Sequence, residues 1–370
     1  MVFIMGIFAI AISSYAYKSE RVLTNEEKVE NLLLQMTLEE KIGQMSQVRH
    51  FSDISTNDVT NKYIGSVIHT QGPLPGKDAK AWQTRFIELQ KEALSTRLGI
   101  PLMFAVDAIH GQNTYNGATI FPHNIGMGAS GNAILVQEAA AITAIEIKAT
   151  GFNWTFSPCI AIPYNEKWGR TYEAFSESTE MTQSLAVASI NGLQGEKPDK
   201  IKVMATAKHF IGDGATDFGI EGGNSSISRE EIVKRLLPPY KSAVEAGVGS
   251  IMVSFNSLLD VNMHAHKELI TDTLKNSMGF DGIVLTDWRG YSRFGGTDII
   301  NAGVDLVMAV EGDLDDFQNN LKEGVENGIV SQQRIDDAVR RILLQKYRLG
   351  LFENPFPDSN YIEYIGCEEH

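Results

Sequence analysis

Short apolar runs recur along the 370-residue chain at 65–69, 101–108, 152–157, 203–210, 250–255, 283–288 and 304–309, each pair separated by a stretch long enough to hold a helix. Parallel strands cannot be joined by a tight turn, and a helical crossover is the usual solution. The alternation therefore predicts parallel strands with helices packed outside them. An eighth strand is expected near 45–48. No Pro/Gly/Ser-rich linker or internal repeat divides the chain, so the expected fold is a single α/β barrel of the TIM type, (β/α)8, regular or imperfect. Helix signals fit this order. Thr37-Leu38-Glu39-Glu40 and Ser228-Arg229-Glu230-Glu231 read as capping boxes. Ile335, Val339, Ile342, Leu343 and Tyr347 share one helix face, which Gly350 ends.

With 43% hydrophobic and 21% charged residues, the chain can bury a large core and shows no compositional sign of disorder. A formal net charge of -14 would repel nucleic acid and anionic membranes, so neither is an expected partner. Two cysteines, Cys159 and Cys367, are too few for a disulfide framework and lack metal-ligand spacing. No metal and no cofactor is expected. Residues 2–12 form an apolar run too short to span a bilayer, followed by Ser14-Tyr15-Ala16, which reads as a cleavage site. Residues 1–16 are read as a signal peptide, although no Lys or Arg precedes Lys18, and a secreted, extracellular protein is expected.

Barrel enzymes assemble their sites from the C-terminal rim of the strands, so polar residues at the ends of the apolar runs are the candidates. Asp107 ends one run, Lys208 and His209 another, and Asp287 with Trp288 a third. Arg170 follows the strand end at 156–158 in the segment Lys167-Trp168-Gly169-Arg170-Thr171-Tyr172-Glu173. Carboxylates that accept from vicinal hydroxyls, cations that donate, and an aromatic face for C–H surface together suit a sugar ring. Plainer readings exist for each residue. Asp287 could cap the next helix, Lys208 and His209 could pair in a salt bridge, Trp168 could be core, and Arg170 could balance Glu173. His264-Ala265-His266 mimics a metal-binding pair but has no partner cluster, and is read as a surface or subsite element.

From about Leu23 onward the chain resembles the N-terminal barrel of glycoside hydrolase family 3, the β-glucosidases and exo-acting β-glucan glucohydrolases. The blocks that carry the resemblance include Val106-Asp107-Ala108-Ile109-His110-Gly111, Asn153-Trp154-Thr155-Phe156-Ser157-Pro158-Cys159, Trp168-Gly169-Arg170-Thr171-Tyr172-Glu173, Ala207-Lys208-His209-Phe210 and Thr286-Asp287-Trp288. The resemblance implies a retaining hydrolase of β-glucosides or β-glucan oligosaccharides with Asp287 as nucleophile. It implies that Asp107, Arg170, Lys208 and His209 hold the hydroxyls of the nonreducing glucose and that Trp288 walls the next subsite. Cations nearby are expected to keep Asp287 ionised. Phe255 stands where close relatives often carry a tyrosine, and Lys167 where an arginine is common.

A retaining glycosidase needs a second carboxyl to protonate the leaving oxygen. In two-domain members of the family this acid lies in a following domain, and the chain is expected to lack it. The barrel is assigned to 17–356 and the start of a linker to 357–370, with a second domain or partner expected over the barrel mouth. Without that cover, apolar surface around Trp168 and Trp288 would be exposed. Asp213 and Glu221, in the loop after Lys208-His209-Phe210, could substitute for the acid, and are read as structural or sugar-binding. The other functional class is a non-catalytic glycan binder that keeps the sugar pocket.

Overall fold

The computed structural model describes residues 21–49, 55–70, 78–196, 200–310 and 312–370. The expected signal segment 1–16 lies outside the described residues. Among them, eight short strands form the barrel: β1 (Ser46–Arg49), β2 (Ser66–His69), β3 (Met103–Val106), β4 (Trp154–Thr155), β5 (Thr206–Phe210), β6 (Ser250–Val253), β7 (Ile283–Leu285) and β8 (Val307–Met308). Every pairing between them is parallel. The order β8-β1-β2-β3-β4 makes one arc and β7-β6-β5 the other. Parallel bridges close the ring, from Trp154 to Met204 just before β5 and from Leu285 to Leu306 just before β8. The strand near 45–48 is β1, and all seven other expected runs contain a strand.

The strands are shorter than the runs that announced them. Residues 152–157 yield two residues of ladder, because apolar content continues where the strand ends bend away but stay packed between helices and barrel interior. Inside the barrel, small polar groups meet. The Trp154 indole N–H donates to Thr206 Oγ1 at 2.8 Å and Ser250 Oγ at 3.0 Å. Both expected N-caps are present. Thr37 makes the full reciprocal box with Glu40, and the Ser228 hydroxyl accepts from the Glu231 amide.

Helix Gln332–Arg348 lays Ile335, Val339, Ile342 and Leu343 into the core as its periodicity requires. Gly350, at φ +69, follows its last turn. Beyond it the chain stays on the barrel. The short turn Ser359–Tyr364 packs on helix Ala133–Ala149, and the Gly366 amide donates to buried Glu146 at 2.9 Å. The segment expected as a linker start is thus laid along the barrel wall.

One element was not expected: a three-stranded sheet of Asn224–Ser225, Ser257–Leu258 and Val261–Asn262. It joins the loops that follow β5 and β6, on the same end of the barrel as the candidate site. Its strands are two residues long and largely polar, so no alternation marks them.

Candidate active site

The six predicted residues converge from four strand ends. Asp107 directly follows β3, Arg170 lies in the loop after β4, Lys208 and His209 belong to β5, and Asp287 and Trp288 follow β7. The Lys208–His209 and Phe210–Ile211 peptide bonds are cis. Lys208, buried at the strand end, donates from Nζ to Asp107 Oδ1 at 3.1 Å. His209 pairs elsewhere, with Nδ1 2.8 Å from Asp213 Oδ2. The two neighbours therefore do not balance each other but hold different carboxylates.

Arg170 is the hub. Its Nε and Nη2 donate to the two oxygens of Glu173 at 2.8 and 2.9 Å, Nη1 donates to Glu221 Oε1 at 3.2 Å, and Nη2 also donates to His209 Nε2 at 2.9 Å. An arginine has five N–H donors, so one, on Nη1, is left for a ligand. The Trp168 indole reaches the other Glu221 oxygen at 2.8 Å. Trp168 itself is 2% exposed, packed with Cys159, Ala161 and Ala174. Its expected exposure at the barrel mouth is therefore corrected: it is a buried brace.

The buried His209 has both ring nitrogens engaged, Nδ1 with Asp213 and Nε2 with Arg170. Burial, reinforced by Arg170 and Lys208, holds its pKa well below the ordinary histidine value. It is thus neutral, with Nε2 accepting and, by the hydrogen-bond network, the proton on Nδ1. Burial pushes the Asp213 carboxyl up to about 7 against the pull of Arg170. Burial likewise lifts the Cys159 thiol to about 12, which leaves it inert.

Asp287 keeps 14% of its side chain accessible, with Oδ2 3.8 Å from His209 Nε2. Its Oδ1 accepts from the Trp288 amide at 2.5 Å. Burial raises its pKa to about 6, against the opposing pull of the Trp288 amide, Arg170 and Lys208. Arg170 and Lys208 favour the charged form, as expected of nearby cations. They do not overcome the desolvation of a largely enclosed carboxylate. Trp288 is half-buried, with the Arg49 guanidinium 5.3 Å above its ring.

The sequence reading missed the residue beneath Asp287. His264 is fully buried, and its Nε2 accepts from the Asp287 amide at 3.2 Å. It is neither a surface element nor a subsite. The one available signal was its setting between apolar Met263 and Ala265. Among the described residues no group of three or more His, Cys, Asp or Glu is placed to hold a metal.

Chemically, the cluster offers a carboxylate, Asp287, with one oxygen unheld, beside a ring of donors and acceptors. Lys208 has two free N–H groups, Asp107 is partly open, and Arg170 has one donor. The remaining carboxylates are committed: Glu173 and Glu221 to Arg170, Asp213 to His209.

Comparison with known proteins places the chain in a family. Residues 37–344 match the model described as "Glycosyl hydrolase family 3 N terminal domain". The lysosomal beta glucosidase of Dictyostelium discoideum is 31% identical over 90% of this chain and 45% of its own length. An exo-1,3/1,4-beta-glucanase from a Pseudoalteromonas species superposes with a TM-score of 0.90 at 35% identity, covering 96% of this chain and 47% of that one. The beta-glucosidase of Listeria innocua, solved in complex with glucose, gives 0.80 at 29% identity over 93% of this chain and 50% of that one. The chain spans about half the length of these relatives.

Proposed function

The chain belongs to glycosyl hydrolase family 3 through its N-terminal barrel, and on that footing we propose that it is the catalytic barrel of a retaining, exo-acting β-glucosidase or β-glucan glucohydrolase. The observation that carries the reading is Asp287: an accessible carboxylate at a barrel strand end, flanked by Arg170, Lys208 and Asp107, which pair with other groups but keep open valences. In this reading Asp107 accepts from, and Lys208 and Arg170 donate to, hydroxyls of the nonreducing glucose. That fixes the ring so that the anomeric carbon meets Asp287 at attack distance. The carboxylate displaces the leaving group, forming a glycosyl ester that water then opens. Trp288 walls the neighbouring subsite. Glu173 and His209 orient Arg170, and His209 stays among the groups proposed to hold the sugar.

The general acid is proposed to come from outside this chain, since Glu173, Glu221 and Asp213 are already bound to cations or to a ring N–H. The same commitment of carboxylates favours a second reading, a glycan-binding barrel without turnover. A location outside the cytosol is proposed from the apolar run at 2–12, alongside the lysosomal name of one relative.

The two readings separate on leaving-group dependence. A 2,4-dinitrophenyl β-glucoside needs no acid, whereas laminaribiose does. The expected result is release of dinitrophenol with retained configuration, and laminaribiose hydrolysis slower by about 10²–10⁴-fold. Equal rates would place the acid within this chain and contradict its proposed absence. Saturable laminaribiose binding with neither substrate consumed would establish the binder instead.

A further inference from the structure

Beneath the proposed nucleophile lies a histidine for which neither core packing nor sugar binding accounts. The His264 ring is fully buried, stacked on Phe294 with centroids 4.7 Å apart at 16°, and more loosely on Phe255 at 6.4 Å. Its Nε2 accepts from the Asp287 amide, while Nδ1 is buried with no partner among the described residues. That arrangement gains little stability. An apolar ring here would leave the Asp287 N–H unsatisfied, and the histidine relieves it only by leaving its own Nδ1–H unsatisfied, a cost of the same order. What the exchange does provide is direction, because the amide of Asp287 is aimed at a fixed acceptor.

The turn above is built around that acceptor. The Gly290 amide donates to the Asp287 carbonyl at 2.9 Å, and Arg289 takes a left-handed conformation, φ +55. A Cβ on Gly290 would fall 2.7 Å from His264 Nε2 and 2.7 Å from the Thr286 Cβ, so only glycine lets the turn close onto the imidazole. The Asp287 amide is held from below and Oδ1 by the Trp288 amide, which leaves Oδ2 as the free carboxylate oxygen.

We propose that His264 is a positioning residue for the nucleophile, its Nε2 anchoring the Asp287 amide so that the free carboxylate oxygen points at the anomeric carbon. This rests on Asp287 being the nucleophile. The role requires a neutral ring, and burial with Arg293 nearby holds His264 down to about 3, so it accepts throughout the working range.

The test measures inactivation by 2,4-dinitrophenyl 2-deoxy-2-fluoro-β-glucoside, separating the rate of attack, kinact, from the binding constant, KI. His264→Leu should lower kinact by about 10–100-fold with KI nearly unchanged, since a misplacement of an ångström costs on that order. Gly290→Ala, which displaces the acceptor without removing it, should do the same. His264→Gln restores an acceptor and should recover most of the rate. Wild-type kinact in His264→Leu, a loss confined to KI, or no recovery in a folded His264→Gln would overturn the inference. If His264→Leu does not fold, Gly290→Ala and His264→Gln decide by the same criteria. Failure of the wild-type chain itself to be labelled would overturn the nucleophile reading, and this inference with it.

Discussion

At the scale of single residues, Asp287 sits between opposed influences. Enclosure favours its neutral form, while a backbone amide, Arg170 and Lys208 favour the charge, and burial wins by enough to place the pKa at about 6. Attack requires the carboxylate, so the activity that depends on it is present above pH 6 and lost below. The rate of labelling by an activated fluoroglucoside should fall about tenfold per pH unit below 6. A rate that stays flat down to pH 4 would mean that the cations dominate after all. The charged candidates were legible in the sequence because acids and bases stand out at the ends of apolar runs. The support around them was not. Arg170 meets Glu221 and His209 on segments 51 and 39 residues away, and His264 reaches Asp287 across 23. Such pairings follow from barrel closure, which local spacing does not encode.

At the scale of elements, β7 and β8 are fastened to the last helix at the end of the barrel away from the site. Asp305, fully buried just ahead of β8, accepts from the Val284 amide at 2.9 Å and from Lys275 at 2.6 Å, and also pairs with Arg334. Asp337 on helix Gln332–Arg348 joins Lys275, Arg334 and Arg341 to the same cluster. Asp305→Ala would leave a strand amide unpaired and the buried Lys275 ammonium with Asp337 alone, and should cost about 3–5 kcal/mol in chemical denaturation. A loss under about 1 kcal/mol would show that the cluster is solvated or replaceable. Burial would raise the Asp337 pKa, but Lys275, Arg334 and Arg341 outweigh it and hold the carboxyl well below its ordinary range. Its contribution is therefore present above about pH 4 and lost as the pH falls further. The strand count was readable from apolar runs. The strand lengths and the small sheet over β5 and β6 were not, because ladder ends depend on where neighbouring strands diverge.

For the whole molecule, ring closure by parallel strands explains why residues scattered from Asp107 to Trp288 share one rim. The same rim carries exposed apolar side chains. Phe218 is 80% and Ile220 57% exposed in the loop after β5, while Ile134 is 70% exposed where helix Ala133–Ala149, between β3 and β4, begins. These residues, and not the buried Trp168, are exposed apolar surface on the rim. The chain is expected to self-associate at micromolar concentration, and Phe218→Ser with Ile220→Ser to reduce this in light scattering. A monodisperse wild-type monomer would contradict the exposed-rim account. In the proposed function the barrel alone holds a complete nucleophile and sugar pocket. That claim is tested most directly by peptide mass spectrometry after incubation with an activated 2-deoxy-2-fluoro-β-glucoside. The account predicts a stable glycosyl adduct on Asp287. Adduct on another residue, or none on a folded chain, would contradict it.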